Sequence, residues 1–359
     1  MIKVYQKYLI LSFLKILLVV FSIFFSLVII LNIFEEVSYL KDTDTNLLFP
    51  LFLTLLNSPS IVYETFPFIF FISTQFLFVR LLDKEELDIF KKVSLSNFKI
   101  ITILSSFALI VSIFILIIFY NLSSNLKFAY LDLKNKYSKD NKYLAVVTEN
   151  GLWIKDEINS YINIINAERI SEGILYDVTI NQFTKDYENI NNILVDEINI
   201  ESKQWILKNA NYSSGSSSTK KKENTVFESN FDAEQINQLF SDLSSLNFIE
   251  LNKLKNEYKS VGYSTTNLNI HFHKLASYPI NLTIMTIFGC IIMLNIKRNS
   301  SKIFHLILGT LCSVVIYYVN YFSSLLGENE QLPEYLSIWL PLLIISLFCG
   351  IGLVRINEK

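Results

Sequence analysis

Glycine, proline and cysteine are all scarce in this chain of 359 residues, with nine, six and three copies. None of the nine glycines belongs to a phosphate-cradling G-x-x-x-x-G-K-[ST] loop or a G-x-S-x-G elbow, and no H-E-x-x-H helix is present. These absences remove the enzyme classes that depend on those arrangements, and with them a nucleotide engine of the chain's own. Cys290, Cys312 and Cys349 all fall in apolar runs, and 123–277 has no cysteine. Thiols so placed act as small hydrophobes, and neither a disulfide framework nor a zinc site can be built from them. A net charge of −2 leaves no footprint for nucleic acid.

What is plentiful is apolar surface. The chain is 51% hydrophobic with a mean hydropathy of +0.38, too apolar for an ordinary soluble domain. The apolar residues gather in runs of about 20, the length that crosses a ~30 Å hydrocarbon layer as a helix. Six spans are expected: Tyr8–Phe34, Pro59–Leu82, Phe98–Leu122, Tyr278–Ile296, Ile303–Leu326 and Tyr335–Val354. Leu47–Leu56 is also apolar, which leaves the start of the second span open between an earlier beginning and a segment lying along the interface. The first run is too long for a signal peptide, lacks a small-residue cleavage site and continues into Glu35-Glu36.

Lysine and arginine in the short loops set an orientation. Lys3, Lys7, Arg80, Lys84, Lys91, Lys92, Lys99, Lys297, Arg298 and Lys302 collect on one side. The opposite loops carry Glu35, Glu36, Asp42 and Asp44 against Lys41, then Glu328, Glu330 and Glu334 with no base. Both termini are expected in the cytoplasm, and Ser123–Ser277 outside, in a multi-pass bacterial inner-membrane protein.

Charge is nearly missing from inside the spans, whereas ion- or proton-coupled carriers need ionisable groups there. Lys15 can snorkel to the surface. Asn32, Thr74, Gln75, Asn281 and Asn320 suit helix–helix hydrogen bonds. Glu64, between Pro59 and Pro67, reads as a headgroup-level carboxylate or as a contact to a lipid substrate. Lys41 reads as a snorkelling lysine or as a point charge for a lipid phosphate.

The segment 123–242 has a different texture. Leu144–Val147, Leu152–Ile154, Tyr161–Ile165, Ile174–Ile180, Asn192–Ile200 and Trp205–Leu207 are short, rich in Ile, Val, Tyr and Trp, and separated by turn residues. They predict an external antiparallel β domain, inserted between spans 1–3 (1–122) and spans 4–6 (278–359). Tyr212–Asn224 reads as a flexible basic loop within it. Asp232–Phe240 and Leu243–Lys259 look helical, and 243–277 reads as a helix and connector back to the membrane, with Gly262 as a stop. His271 and His273 would share a face only if extended, and two such ligands without a third partner make no metal site.

The stretch Lys84–Ser96 (KEELDIFKKVSLS) predicts a short amphipathic helix, about 83–96, between the second and third spans. On a helix turning ~100° per residue, Leu82, Ile89, Phe90 and Val93 share an arc that contains Glu86. Lys84 can meet Asp88, and Asp88 can meet Lys92, at i,i+4. Glu86 has no such helical partner, and an unpaired carboxylate is costly to bury. The arc either faces headgroups, with Glu86 reaching water, or docks on a partner that supplies an Arg or Lys. Two functions follow: the permease subunit of an ATP-driven transporter, or a membrane anchor whose β domain binds envelope proteins.

The chain resembles the LptF/LptG permeases of the lipopolysaccharide exporter over nearly its full length. The resemblance is carried by Pro59–Phe68 (PSIVYETFPF), Glu86-Leu87, Gly151–Asp156 (GLWIKD), Leu254–Gly262 followed by His273-Lys274-Leu275-Ala276-x-x-Pro279, and Trp339-Leu340-Pro341. The GLWIKD stretch leans toward the LptG branch. The resemblance implies a β-jellyroll-like external domain and a paralogous permease subunit. It also implies an LptB-like ATPase dimer that binds ATP, an LptC-like protein, and lipopolysaccharide as cargo, with no cofactor in this chain. It makes Glu86, Leu87, Ile89, Phe90 and Val93 the ATPase-coupling residues. Two departures stand out. Ser94 replaces the family's usual coupling-loop glycine, and only Lys41 occupies the region where a basic cluster is expected.

Overall fold

The computed structural model describes residues 3–41, 48–92, 95–136, 152–158, 161–171, 173–185, 188–214, 217–233, 236, 242–260, 264–295 and 301–357. Two compact units emerge: 1–127 together with 265–359, which is helical, and 128–264, which holds a sheet.

Among the described residues, six helices are long and apolar enough to cross a membrane. Helices α1 (Val4–Tyr39) and α2 (Leu48–Asp83) have 36 residues each. At 1.5 Å per residue each is about 54 Å long and outruns a ~30 Å layer. The stretch Leu47–Leu56 is, from Leu48 onward, the opening of α2, which runs through Pro59 and Pro67 unbroken. Helix α3 (Glu86–Lys92) follows, then α4 (Asn97–Phe114), a π turn (Ile115–Phe119) and α5 (Tyr120–Lys136). After the sheet and α6 (Phe248–Ser260) come α7 (Thr266–Leu294), α8 (Lys302–Glu328) and α9 (Glu334–Asn357). Helix α7 begins well before Tyr278: residues 266–277 are too polar to register as a span, yet they propagate the helix.

Proline removes an N–H and strands the carbonyl four residues back, which an apolar layer cannot solvate. Pro67 strands the carbonyl of Tyr63, and the Tyr278 hydroxyl of α7 donates to it at 2.6 Å while the two rings stack at 4.3 Å. Pro341 strands that of Ser337, and the Ser323 hydroxyl of α8 donates to it at 2.7 Å. Close packing accompanies these bonds. A Cβ on Gly309 would lie 2.2 Å from Gln75 Nε2, and one on Gly327 would lie 2.4 Å from Ser337 Oγ. Of the polar groups expected to join helices, Gln75 does so, donating to the His305 carbonyl at 3.3 Å. Asn32 and Thr74 instead donate back to carbonyls of their own helices.

The core of this unit draws on α1, α2, α4 and α7 through residues such as Leu9, Phe13, Phe70, Phe78, Leu104 and Leu282. At the acidic end, Lys274 of α7 pairs with Glu328 at 2.8 Å and Asn269 donates to Glu334 at 3.1 Å. The loop that reads as purely acidic is thus tied down by α7. The outward faces are apolar as well: Leu31 and Phe34 on α1 and Leu311 and Val315 on α8 are all at least 60% exposed. Apolar surface this extensive belongs against lipid or protein.

Among the described residues the inserted unit has six strands: β1 (Leu152–Ile158), β2 (Tyr161–Ser171), β3 (Ile174–Phe183), β4 (Asn189–Asn199), β5 (Gln204–Ser214) and β6 (Ser217–Glu228). They pair antiparallel in sequential order. Alternation is clear on β1, where Leu152 and Ile154 are buried and Trp153 between them is half exposed. Trp205 is fully buried and its indole donates to the Phe231 carbonyl at 2.8 Å. Flat, six strands would set the two edges roughly 24 Å apart. Yet Asp156 of β1 accepts from Ser229 Oγ at 2.8 Å, Asn230 N at 3.1 Å and Asn230 Nδ2 at 2.7 Å, just past the end of β6. The sheet therefore rolls until its first and last strands come close.

Several expectations shift. The basic stretch Tyr212–Asn224 is largely strand: Tyr212 pairs with Lys220, Asn211 with Lys221 and Ala210 with Lys222. Among the described strands β6 lies at an edge of the sheet, and its composition mimics a loop. The helix expected from Leu243 begins at Phe248, after a 3-10 turn at Leu243–Ser245. Asn247 Oδ1 accepts from the N–H groups of Ile249 and Glu250 at 3.0 Å, while Glu250 accepts from Asn247 N–H at 2.9 Å, a capping box. Leu144–Val147 and most of Asp232–Phe240 lie outside the described residues. Replacing Asp156 by Ala should cost about 1.5–3 kcal/mol, the value of a hydrogen bond to a charged group. Amide exchange on the full-length protein should show protection lost over 152–236 and retained in the helical unit.

Candidate functional site

The connection between α2 and α4 is a turn, a short helix and a second turn. Lys84 N–H donates to the Arg80 carbonyl at 3.1 Å and Glu85 N–H to Leu82 at 3.2 Å. Glu85 then adopts a left-handed φ of 56°, a conformation costing a non-glycine residue about 1–2 kcal/mol. That reversal starts α3. At the far end Leu95 N–H donates to the Phe90 carbonyl at 3.0 Å, and Ser96 caps α4 by accepting from Lys99 N–H at 3.3 Å. Ser94, where the family's glycine is expected, lies outside the described residues.

Seven residues do not make a stable helix alone, so α3 depends on what it touches. Leu87 is buried in the helical core, and Phe90 packs edge-on against Tyr8 with ring centroids 6.5 Å apart. The Tyr8 hydroxyl lies 2.8 Å and 2.7 Å from the two oxygens of Glu86. Helical spacing gives Glu86 no partner on its own helix; it has one 78 positions away, on α1. The apolar arc also divides. Phe90 of that arc turns toward the chain's own bundle, as does Leu87 outside it, whereas Ile89 is 54% exposed. Val93 lies outside the described residues.

Two further ties frame the loop. Asp83, at the end of α2, forms an ion pair with Lys302, at the start of α8. One turn into α8, the His305 carbonyl accepts from Gln75. Helical neighbours alone give no signal for either contact.

The remaining candidates do not join this site. Lys41 is exposed in the turn after α1, whose last residues include the buried Glu36. Glu64 is exposed on α2, between Pro59 and Pro67. His271 and His273 are not on an extended segment but on α7, where two positions apart means roughly 200° around the axis. His271 meets the Tyr120 hydroxyl at 3.0 Å, and His273 accepts from the Trp339 indole at 3.3 Å.

Among the described residues, six apolar helices with an inserted antiparallel sheet have the architecture of a multi-pass membrane protein. The chain belongs to the family described as "Lipopolysaccharide export system permease LptF/LptG", whose model matches residues 7–355. That family places it in the inner membrane. No curated protein matches the chain.

The left-handed turn generates a direct expectation. Glu85→Gly should leave α3 intact or stabilise it by about 1 kcal/mol, and Glu85→Ile should cost about 1–2 kcal/mol or more. Thermal unfolding of the purified protein, with amide exchange over 86–92, separates the two variants.

Proposed function

We propose that this chain is a permease subunit of an ATP-driven exporter. It extracts lipopolysaccharide from the inner membrane and passes it toward a periplasmic protein bridge, while a separate LptB-like ATPase dimer hydrolyses ATP. A paralogous LptF/LptG subunit completes the transmembrane part, and an LptC-like protein and the β unit stand on the periplasmic side. The observation that carries this reading is α3. It is a short helix hinged by Glu85, with Ile89 exposed and the Glu86 carboxylate half-buried beside it. Such a helix suits a groove on a partner that supplies a cation to Glu86.

Truncating one member of a charge pair buried at an interface costs about 2–5 kcal/mol. Glu86→Ala should therefore lower ATPase association or lipid release, while membrane insertion and the β unit stay intact. Co-purification of the ATPase and transport assays read the effect, and wild-type values in both would remove Glu86 from coupling. Orientation has its own test, in a background lacking Cys290, Cys312 and Cys349. A cysteine at Ser217 should react with an impermeant reagent from the periplasmic side, and one at Ser300 should not.

A further inference from the structure

We propose that Tyr8 is a positioning residue for the coupling helix, gripping α3 at two points and tying its angle to the first span. This rests on the coupling role given to Glu86 above. The first point is the Tyr8 hydroxyl, within 2.8 Å and 2.7 Å of the two Glu86 oxygens. A phenol has one proton, so the two oxygens share it in a charge-assisted bond. The second is the edge-on ring contact with Phe90, one helical turn further along α3, at 62° between planes.

Two contacts a turn apart define the direction of a helix as well as its place. α3 has only seven residues and leaves α2 through a strained turn, so its own backbone does not hold that direction. Tyr8 lies in the opening turns of α1 (Val4–Tyr39). A tilt or rotation of α1 therefore carries Glu86 with it. The latch also leaves the carboxylate usable. Ionised, it offers about four lone-pair sites, and a single shared proton leaves room for a cation from a docked partner. In this arrangement Tyr8 presents Glu86 to the partner and relays movement of the first span to the ATPase.

The test uses the assembled complex, with its ATPase, in proteoliposomes containing lipopolysaccharide. Tyr8→Phe keeps the ring and its contact with Phe90 and removes only the hydroxyl. Lipid released per ATP hydrolysed should fall on the order of tenfold, as for loss of a hydrogen bond to a charged group, with ATPase subunit still bound. Amide exchange over 86–92 should quicken, and Tyr8→Phe should add nothing further in a Glu86→Ala background. Wild-type coupling in Tyr8→Phe beside an impaired Glu86→Ala overturns the role of Tyr8 and leaves that of Glu86 standing. Fully additive effects overturn it as well, since the hydroxyl would then act elsewhere. Wild-type behaviour in both single variants overturns the coupling reading itself, and this inference with it.

Discussion

An apolar layer cannot hydrogen-bond a stray carbonyl, and the helical unit is organised around that fact. Helices satisfy their own backbones, so a proline within one is the point where satisfaction fails. Here Tyr278 and Ser323 answer the carbonyls stranded by Pro67 and Pro341 from neighbouring helices. The same two bonds clamp α2 to α7 and α8 to α9. A local defect thereby becomes a tertiary contact, and the small residue at Gly327, packed on Ser337, lets α8 and α9 approach closely enough to exploit it.

Where the helices end, the rules change, because charge can again reach water. Ion pairs gather there: Lys274 with Glu328 at one end, Lys302 with Asp83 at the other. The latter sits at the border of the short helix α3, which has too few residues to be stable by itself. Its order comes from Leu87 in the core and from Tyr8 on α1. An element that takes its position from other spans is suited to report on them, which a rigid, self-sufficient helix would not do.

Much of this was legible beforehand. Runs of about twenty apolar residues mark spans because the layer has a fixed thickness, and each of the six lies within or overlaps an observed helix. Alternation around Leu152, Trp153 and Ile154 marks a strand for an equally local reason. What escaped was non-local or disguised. Lys220–Lys222 look like a solvated loop, yet pair with β5 as part of β6. The polar opening of α7 hides a helix that hydropathy does not register. Glu86 looks solitary on a helical wheel because the wheel sees four residues in either direction.

Order along the chain, the number of spans, the inserted sheet and the place of the short helix between spans are properties of composition and period, which act over a turn or a strand at a time. The sequence by itself determined these. Which hydroxyl meets which stranded carbonyl, how Asp156 closes the sheet on the chain after β6, and that Tyr8 holds Glu86 were decided only by the tertiary structure. Each joins groups far apart in the chain, and a hydrogen bond forms only where folding brings donor and acceptor within about 3 Å.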